Sequence, residues 1–130
     1  MILRASAFAA VSVLVFAGAA NAAPAKCIGM NKELNALGGK IQTLQVQQAD
    51  IKARGDAEAI ARAEAEEALN EVRSGFAGKP VAELEAELVA LEEQLTQTKV
   101  ELDALNAEIG ELGGAFHTKR AAFNKICAGG

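Results

Sequence analysis

Two cysteines are the residues whose chemistry and spacing say most in this sequence of 130 residues. Cys27 and Cys127 lie near opposite ends of the chain, and Ala77 lies midway between them. A chain that folds back on itself at this midpoint brings the two thiols together, and an even number of cysteines in an oxidising compartment indicates a disulfide. We therefore predict an intramolecular Cys27–Cys127 disulfide. Two separate buried thiols, or bridges to other chains, are the alternatives.

The other chemically active residue types do not form a catalytic or metal-binding combination. His117 is the one histidine in the sequence, and one histidine with two oxidised cysteines cannot supply a zinc site. Ser74 is the one serine after residue 22, and no histidine stands near it on a hairpin. No Gly-rich phosphate loop or calcium loop occurs. We expect no enzyme activity, no cofactor, no metal and no small-molecule substrate.

The first 22 residues have the features of a secretory signal peptide. Arg4 supplies a positive charge, residues 5–17 are apolar, and Ala20-Asn21-Ala22 places small residues before a cleavage site. A retained membrane anchor is the alternative, but the apolar run is shorter than the roughly 20 residues that a spanning helix needs. We predict cleavage after Ala22, export to the periplasm or the exterior, and no membrane contact after cleavage.

The composition restricts the class of protein and of partner. The sequence has 17 acidic and 13 basic residues, no Trp or Tyr, and five Phe. The shortage of aromatic bulk argues against an ordinary globular enzyme core. The net charge of −4 argues against nucleic-acid binding, which needs clustered Lys and Arg. Residues 55–99 hold 11 acidic and four basic residues, which indicates either ordinary solvation, end-to-end attraction between copies, or a basic partner.

Apolar residues in the second half of the chain recur at alternating intervals of three and four. This is the a/d pattern of a coiled coil, and its narrow stripe with polar flanks favours two helices over a broad bundle. Over seven heptads, the stripe consists of Val81, Leu84, Leu88, Leu91, Leu95, Thr98, Leu102, Leu105, Ile109, Leu112, Phe116, Lys119, Phe123 and Ile126.

The first half of the chain carries the same spacing but loses its apolar character at Gly55, Glu58 and Arg62. Because Arg54-Gly55-Asp56 could end one helix and cap another, we expect a local irregularity or kink there. A fold-back into three helices is the competing topology.

Antiparallel pairing of the two stripes defines a register in which opposed residues have numbers that add up to 153, such as Ile51 and Leu102. This register places Cys27 opposite Ile126, beside Cys127, so the apolar pattern and the cysteine positions agree. We predict an all-α fold, a long antiparallel two-helix coiled-coil hairpin closed by a terminal disulfide. Its elements are a helix over 28–73, a turn over 74–79 and a helix over 80–127.

The turn and the glycines supply the remaining candidate site residues. Gly75, Gly78 and Pro80 lie in the one strong breaker cluster, where glycine can end a helix and proline can begin the next. Phe76 is a candidate interaction tip, although we favour it as the last residue of the apolar stripe. The glycine doublets either make room for the ring of Phe116 or form hinges. The candidate hinge residues are Gly38, Gly39, Gly55, Gly113 and Gly114.

These features together predict a non-enzymatic protein of the cell envelope. The leading hypothesis is a structural spacer or protein-interaction rod whose partner is another protein or a second copy. The alternative is a periplasmic holdase-type chaperone that binds unfolded clients along its helices. Nucleic-acid partners are not expected.

Overall fold

A computed structural model describes residues 24–128, so the predicted signal peptide over 1–22 lies outside the described residues. Helix α1 spans Ala25–Arg73, helix α2 spans Val81–Phe123, and a π-helical turn follows at Asn124–Ala128. The two long helices pack against each other, a disulfide joins their ends, and no strand occurs in this part of the chain. The predicted fold class, a two-helix coiled-coil hairpin closed by a terminal disulfide, is confirmed.

Each long helix begins directly after a proline. The carbonyl oxygen of Pro24 accepts a hydrogen bond from the N–H of Cys27 at 2.7 Å, and that of Pro80 accepts one from Glu83 at 3.0 Å. Proline is tolerated at a helix entry because its missing N–H would have no intrahelical partner there. Helix α1 therefore begins at Ala25, earlier than the predicted residue 28.

Helix α1 ends in a left-handed glycine. Gly75 has φ of 99°, a conformation that side chains disfavour. The N–H of Phe76 donates to the carbonyl oxygen of Glu71, and that of Gly75 donates to Val72, both at 3.1 Å. This pair of hydrogen bonds is the Schellman motif, which satisfies carbonyl groups that the end of the helix leaves without partners.

The hairpin divides into two compact units. The end unit contains the disulfide and consists, among the described residues, of 24–41 and 112–128; the turn unit is Gln42–Glu111. The buried apolar residues of the end unit are Cys27, Leu34 and Ile41. Those of the turn unit are Leu44, Ala65, Leu69, Leu84 and Leu105. All of them belong to the a/d stripes, so each unit has its core between the two helices.

Contacts within each unit match the predicted register. In the turn unit, a Cβ added at Gly55 would lie 3.3 Å from Cγ2 of Thr98, and these residue numbers add up to 153. In the end unit, the register places Lys119 opposite Leu34, and Nζ of Lys119 lies 2.7 Å from Oε2 of the adjacent Glu33. Periodicity alone therefore predicted which residues of the two helices are neighbours.

The expected irregularity at residues 54–56 does not interrupt helix α1, and the three-helix alternative is not formed. A glycine inside a helix costs about 1 kcal/mol relative to alanine. At Gly55 the absent side chain leaves space that Thr98 of the other helix approaches closely. We attribute the continuity of the helix to this packing, which offsets the low helix propensity of glycine.

The π-helical turn changes the predicted arrangement beside the disulfide. The stripe predicted that Ile126 faces Cys27, but the side chain of Ile126 is 52% exposed. An i→i+5 turn takes up one more residue than an α-helical turn, so it rotates the residues that follow. Cys127 therefore takes the inward position and bonds to Cys27.

Candidate functional site

The disulfide brings together two residues from opposite ends of the sequence. Cys27 is buried, and its Cα atom lies 5.8 Å from that of Cys127. Neither cysteine is free. A covalent closure of this kind persists in a non-reducing compartment and is rare in a reducing cytosol.

Two exposed isoleucines flank this disulfide. Ile28 is 63% exposed and follows Cys27, while the half-exposed Ile126 precedes Cys127. Their Cα atoms are no more than about 13 Å apart, since consecutive Cα atoms lie about 3.8 Å apart and the bridge spans 5.8 Å. Lys26 and Lys125 are exposed beside them in the sequence.

The end unit is strongly basic. Its described residues include six Lys or Arg and one acidic residue, Glu33. Glu33 is already paired with Lys119. Basic residues therefore exceed acidic ones by five among the described residues of this unit.

Phe76 forms an exposed apolar site at the turn, where its side chain is 68% exposed. The interpretation that Phe76 is the last residue of the stripe is wrong, because the left-handed Gly75 redirects the chain before it. In a Schellman motif the residue after the glycine often packs on an apolar side chain of the last turn. Here the residues at those positions are Glu71 and Asn70, which are polar.

A shallow groove runs beside Phe76 along the last turns of helix α1. Besides Phe76, its lining includes Ala63, Glu66, Glu67, Asn70 and Glu71. We call this set the turn patch. It combines one large apolar ring with three carboxylates.

The stretch around the turn is as acidic as the end unit is basic. Residues 63–87 contain seven Glu and two basic residues. Both basic residues are engaged: Arg73 lies 2.8 Å from Glu85, and Lys79 lies 2.6 Å from Glu87. The hydrogen bond to Glu87, with the negative charge of the same carboxylate, raises the pKa of Lys79. Of the glutamates in the turn patch, Glu66 is paired with Arg62 at 3.1 Å, and Glu67 and Glu71 add further negative charge.

Gly78 and Pro80, the other predicted turn residues, have separate structural roles. A Cβ added at Gly78 would lie 2.8 Å from Cγ2 of Val72, so the backbone approaches the helix end too closely for a side chain. The carbonyl oxygen of Pro80 begins the hydrogen bonding of helix α2.

A polar layer interrupts the apolar stripe of the turn unit. Thr98 is buried, and its hydroxyl donates to the carboxylate of Glu58 on the other helix. Arg54 is 3.6 Å from Glu58 and also bonds to Glu101. The spacing predicted a weak layer here, but the register in which opposed numbers add up to 153 places Glu58 opposite Leu95, so this hydrogen bond was not predicted. Glu58 lies within one helical turn of Gly55, the residue opposite Thr98 in the predicted register. A hydroxyl and a carboxylate that close together could have indicated this hydrogen bond from the sequence.

The candidate hinge glycines lie within continuous helices. A Cβ added at Gly39, Gly113 or Gly114 would meet no atom within 4 Å. These three positions therefore do not make room for the ring of Phe116, contrary to that interpretation. Gly38 is buried on helix α1. A hinge function remains a prediction.

The described part of the chain offers few other residues that could catalyse a reaction or bind a metal ion. His117 is exposed, and its ring centre lies 6.3 Å from that of Phe116 in an edge-on arrangement. Among residues 24–128, no group of three or more His, Cys, Asp or Glu side chains is placed to hold a metal ion. Within the same range, neither helix has a segment apolar enough to cross a bilayer.

No protein-family model matches the chain, and no curated protein or solved structure is significantly similar to it.

Proposed function

We propose that this chain is an exported, non-enzymatic coiled-coil protein that acts in the cell envelope through contacts with other proteins. The observation that carries the proposal is the Cys27–Cys127 disulfide, which closes a hairpin of two long helices. Structural disulfides form and persist in oxidising compartments such as the periplasm or the cell exterior. The predicted signal peptide over residues 1–22 agrees with the same compartment.

The exposed side chains support a role in protein contact. Each unit uses its a/d stripe for the packing of its own helices, so that stripe is not available to a partner. Large apolar side chains nevertheless remain on the surface, foremost Phe76 at the turn and Ile28 beside the disulfide. Apolar residues surrounded by charged ones are the usual composition of a protein interface.

Intact-mass measurement of the chain recovered from cell fractions tests the export. We expect a periplasmic or secreted species that lacks residues 1–22 and is lighter by two hydrogen atoms than its reduced form. Alkylation before reduction should add no mass, whereas alkylation after reduction should modify both cysteines. A full-length, reduced chain confined to the cytoplasm would contradict the proposal.

Photo-crosslinking in intact cells tests the contact role. A photoreactive side chain in place of Phe76 should crosslink to a protein, whereas one in place of the exposed, polar Gln97 should crosslink less. Absence of crosslinked protein at both positions would argue against an interaction role.

A holdase-type chaperone is a second candidate, favoured by the outer surface of helix α1. Val46 and Ile60 occupy the same heptad position, directly opposite the stripe, and both are more than half exposed. With the exposed Ala53 between them they form an apolar row along the turn unit. Suppression of client aggregation that is lost in Val46→Ser/Ile60→Ser but kept in Phe76→Ser would support this candidate. No suppression at stoichiometric excess would reject it.

A further inference from the structure

We propose that two copies of this chain pair through the outer surface of helix α1, antiparallel to each other and related by a two-fold axis that passes beside Ala53. The inference rests on the proposed function, since it identifies one protein partner as a second copy of this chain. The surface involved belongs to a single helix and lies wholly within the turn unit, Gln42–Glu111.

Five apolar residues form a row along this surface. Helix α1 is continuous here, and residues three, four or seven positions apart share one face of an α-helix. The large residues at the two ends are 63% and 61% exposed, and the a/d stripe that packs on helix α2 lies on the opposite face, so the row is open to a partner. We call it the outer row; it consists of Val46, Ala49, Ala53, Ala57 and Ile60.

The outer row has the same pattern in both directions along the helix. A large side chain stands at each end, three alanines lie between them, and the intervals are three, four, four and three. A two-fold contact uses the same surface of both copies, so such a surface must complement itself. Antiparallel pairing centred on Ala53 sets Val46 of each copy against Ile60 of the second copy. The alanines at the centre let the two helices approach closely.

Charges beside the outer row complement each other in the same arrangement. Lys52 and Asp56 are exposed on one flank of the row. In the antiparallel pair, Lys52 of each copy lies within about 3 Å, along the helix axis, of Asp56 of the second copy, since each residue adds 1.5 Å. Two ion pairs follow from the symmetry, and opposite charges across an interface favour the correct partner. The other flank has Asp50 and Arg54, but Arg54 is already paired within its own copy.

Helix α2 does not offer an equivalent surface. The corresponding row of the turn unit consists of Ala86, Glu93, Val100 and Ala107. The exposed carboxylate of Glu93 interrupts it, and Val100 has no large apolar counterpart in the row. Helix α2 therefore supplies matched control positions for substitutions in the outer row.

Sedimentation velocity of the oxidised chain tests the pairing. The contact involves about four turns of one helix, so it is small and the dimer is weak. We expect the weight-average sedimentation coefficient to rise from the monomer value towards the dimer value, and no further, between about 10 µM and about 1 mM. A monomer at every concentration would overturn the proposal, and it is the result expected if the row binds unfolded clients instead of a second copy.

Substitutions in the outer row make the test specific. Ala53→Glu places two carboxylates beside the two-fold axis and should abolish the dimer, because like charges directly opposed repel each other. Ala107→Glu, the same change at the same heptad position of helix α2, should pair like the parent chain. Val46→Ser/Ile60→Ser, which removes both large side chains, should lower the association constant at least about tenfold. A dimer that survives Ala53→Glu, or that is lost equally in Ala107→Glu, would overturn the proposal.

A charge exchange tests the antiparallel orientation. Lys52→Glu should lower the association constant at least about threefold at low ionic strength, because a glutamate then faces Asp56. Lys52→Glu/Asp56→Lys should restore it to within about twofold of the parent value, because opposite charges face each other again. In a parallel pair these two positions would instead face Asp50 and Arg54. The exchange would then weaken the dimer further, and that result would overturn the antiparallel arrangement.

The outcomes separate this inference from the proposed function. A strict monomer whose residue 76 crosslinks to a different envelope protein would overturn the inference and leave the proposed function intact. A reduced, cytoplasmic chain that pairs through the outer row would overturn the proposed function alone. Circular dichroism of every variant should show parental helix content, since all of the substituted side chains are exposed.

Discussion

Thr98 and Glu58 are joined by a hydrogen bond across the helix pair of the turn unit. The hydroxyl of Thr98 lies 2.8 Å and 3.0 Å from the two carboxylate oxygens of Glu58. Thr98 is buried, and the side chain of Glu58 is only 14% exposed. A single polar layer in a coiled coil typically selects one register at some cost in stability. We infer that this pair helps to define which residues of the two helices face each other.

Thr98→Val should lower the free energy of unfolding by about 1–2 kcal/mol, because the carboxylate of Glu58 loses its donor on the other helix. Glu58→Leu/Thr98→Val, which replaces both partners with apolar groups, should recover most of that loss. Urea unfolding followed by circular dichroism measures both. A single variant as stable as the parent would show that the hydrogen bond contributes nothing.

Reduction of the disulfide should destabilise the hairpin by up to about 4–5 kcal/mol, since the bridge closes a loop of about 100 residues. No large side chain in residues 24–128 is completely enclosed, so the core alone offers limited stabilisation. Thermal unfolding with and without reductant measures the effect. Cys27→Ser/Cys127→Ser should behave like the reduced parent in both conditions. Equal melting temperatures for the oxidised and reduced parent would contradict the prediction.

Gly75→Ala should destabilise the turn by about 1–2 kcal/mol, because a Cβ disfavours the left-handed conformation that φ of 99° represents. Gly110→Ala is the matched control. Gly110 lies in helix α2, where an added Cβ would meet no atom within 4 Å, and alanine should therefore stabilise by up to about 1 kcal/mol. Urea unfolding should therefore show a lower free energy of unfolding for Gly75→Ala and a higher one for Gly110→Ala. The same sign for both would show that backbone conformation does not decide the effect.

Gly113→Ala/Gly114→Ala tests the hinge hypothesis. Both positions lie in open space on helix α2, so the substitutions should slow amide hydrogen exchange in the neighbouring turns without a steric cost. If these glycines act as a hinge, the variant should also lose contact with its partner in the crosslinking experiment. Faster exchange around residue 113 would contradict the expected gain in helix stability.

The Lys79–Glu87 pair should make stability depend on alkaline pH. The hydrogen bond to Glu87 raises the pKa of Lys79 above its ordinary value of 10.5, so the folded chain holds this proton more tightly than the unfolded chain. The contribution is complete below the unfolded pKa and is lost as pH rises through the folded pKa. Glu87→Gln should reduce the loss of stability between about pH 9 and about pH 12. Glu93→Gln, another exposed glutamate, should not change it, and identical pH profiles for the two variants would refute the role of this pair.

The sequence by itself determined the two helices, their register and the disulfide. Periodic spacing decides which residues share a helix face, and pairing two such faces leaves one register that brings Cys127 within one residue of the position opposite Cys27, so these features need no atomic detail. The charge contrast between the disulfide end and the turn was likewise visible in the residue order.

Only the tertiary structure decided where Phe76 and Ile126 point and which partner Glu58 has. The exposure of Phe76 depends on the left-handed backbone of Gly75, and the exposure of Ile126 depends on a π-helical turn. The hydrogen bond from Thr98 to Glu58 depends on side-chain conformations, because Glu58 is not the residue directly opposite Thr98 and must extend along the helix to contact it. Heptad spacing assumes an uninterrupted α-helix with fixed side-chain directions, so it cannot encode these local departures.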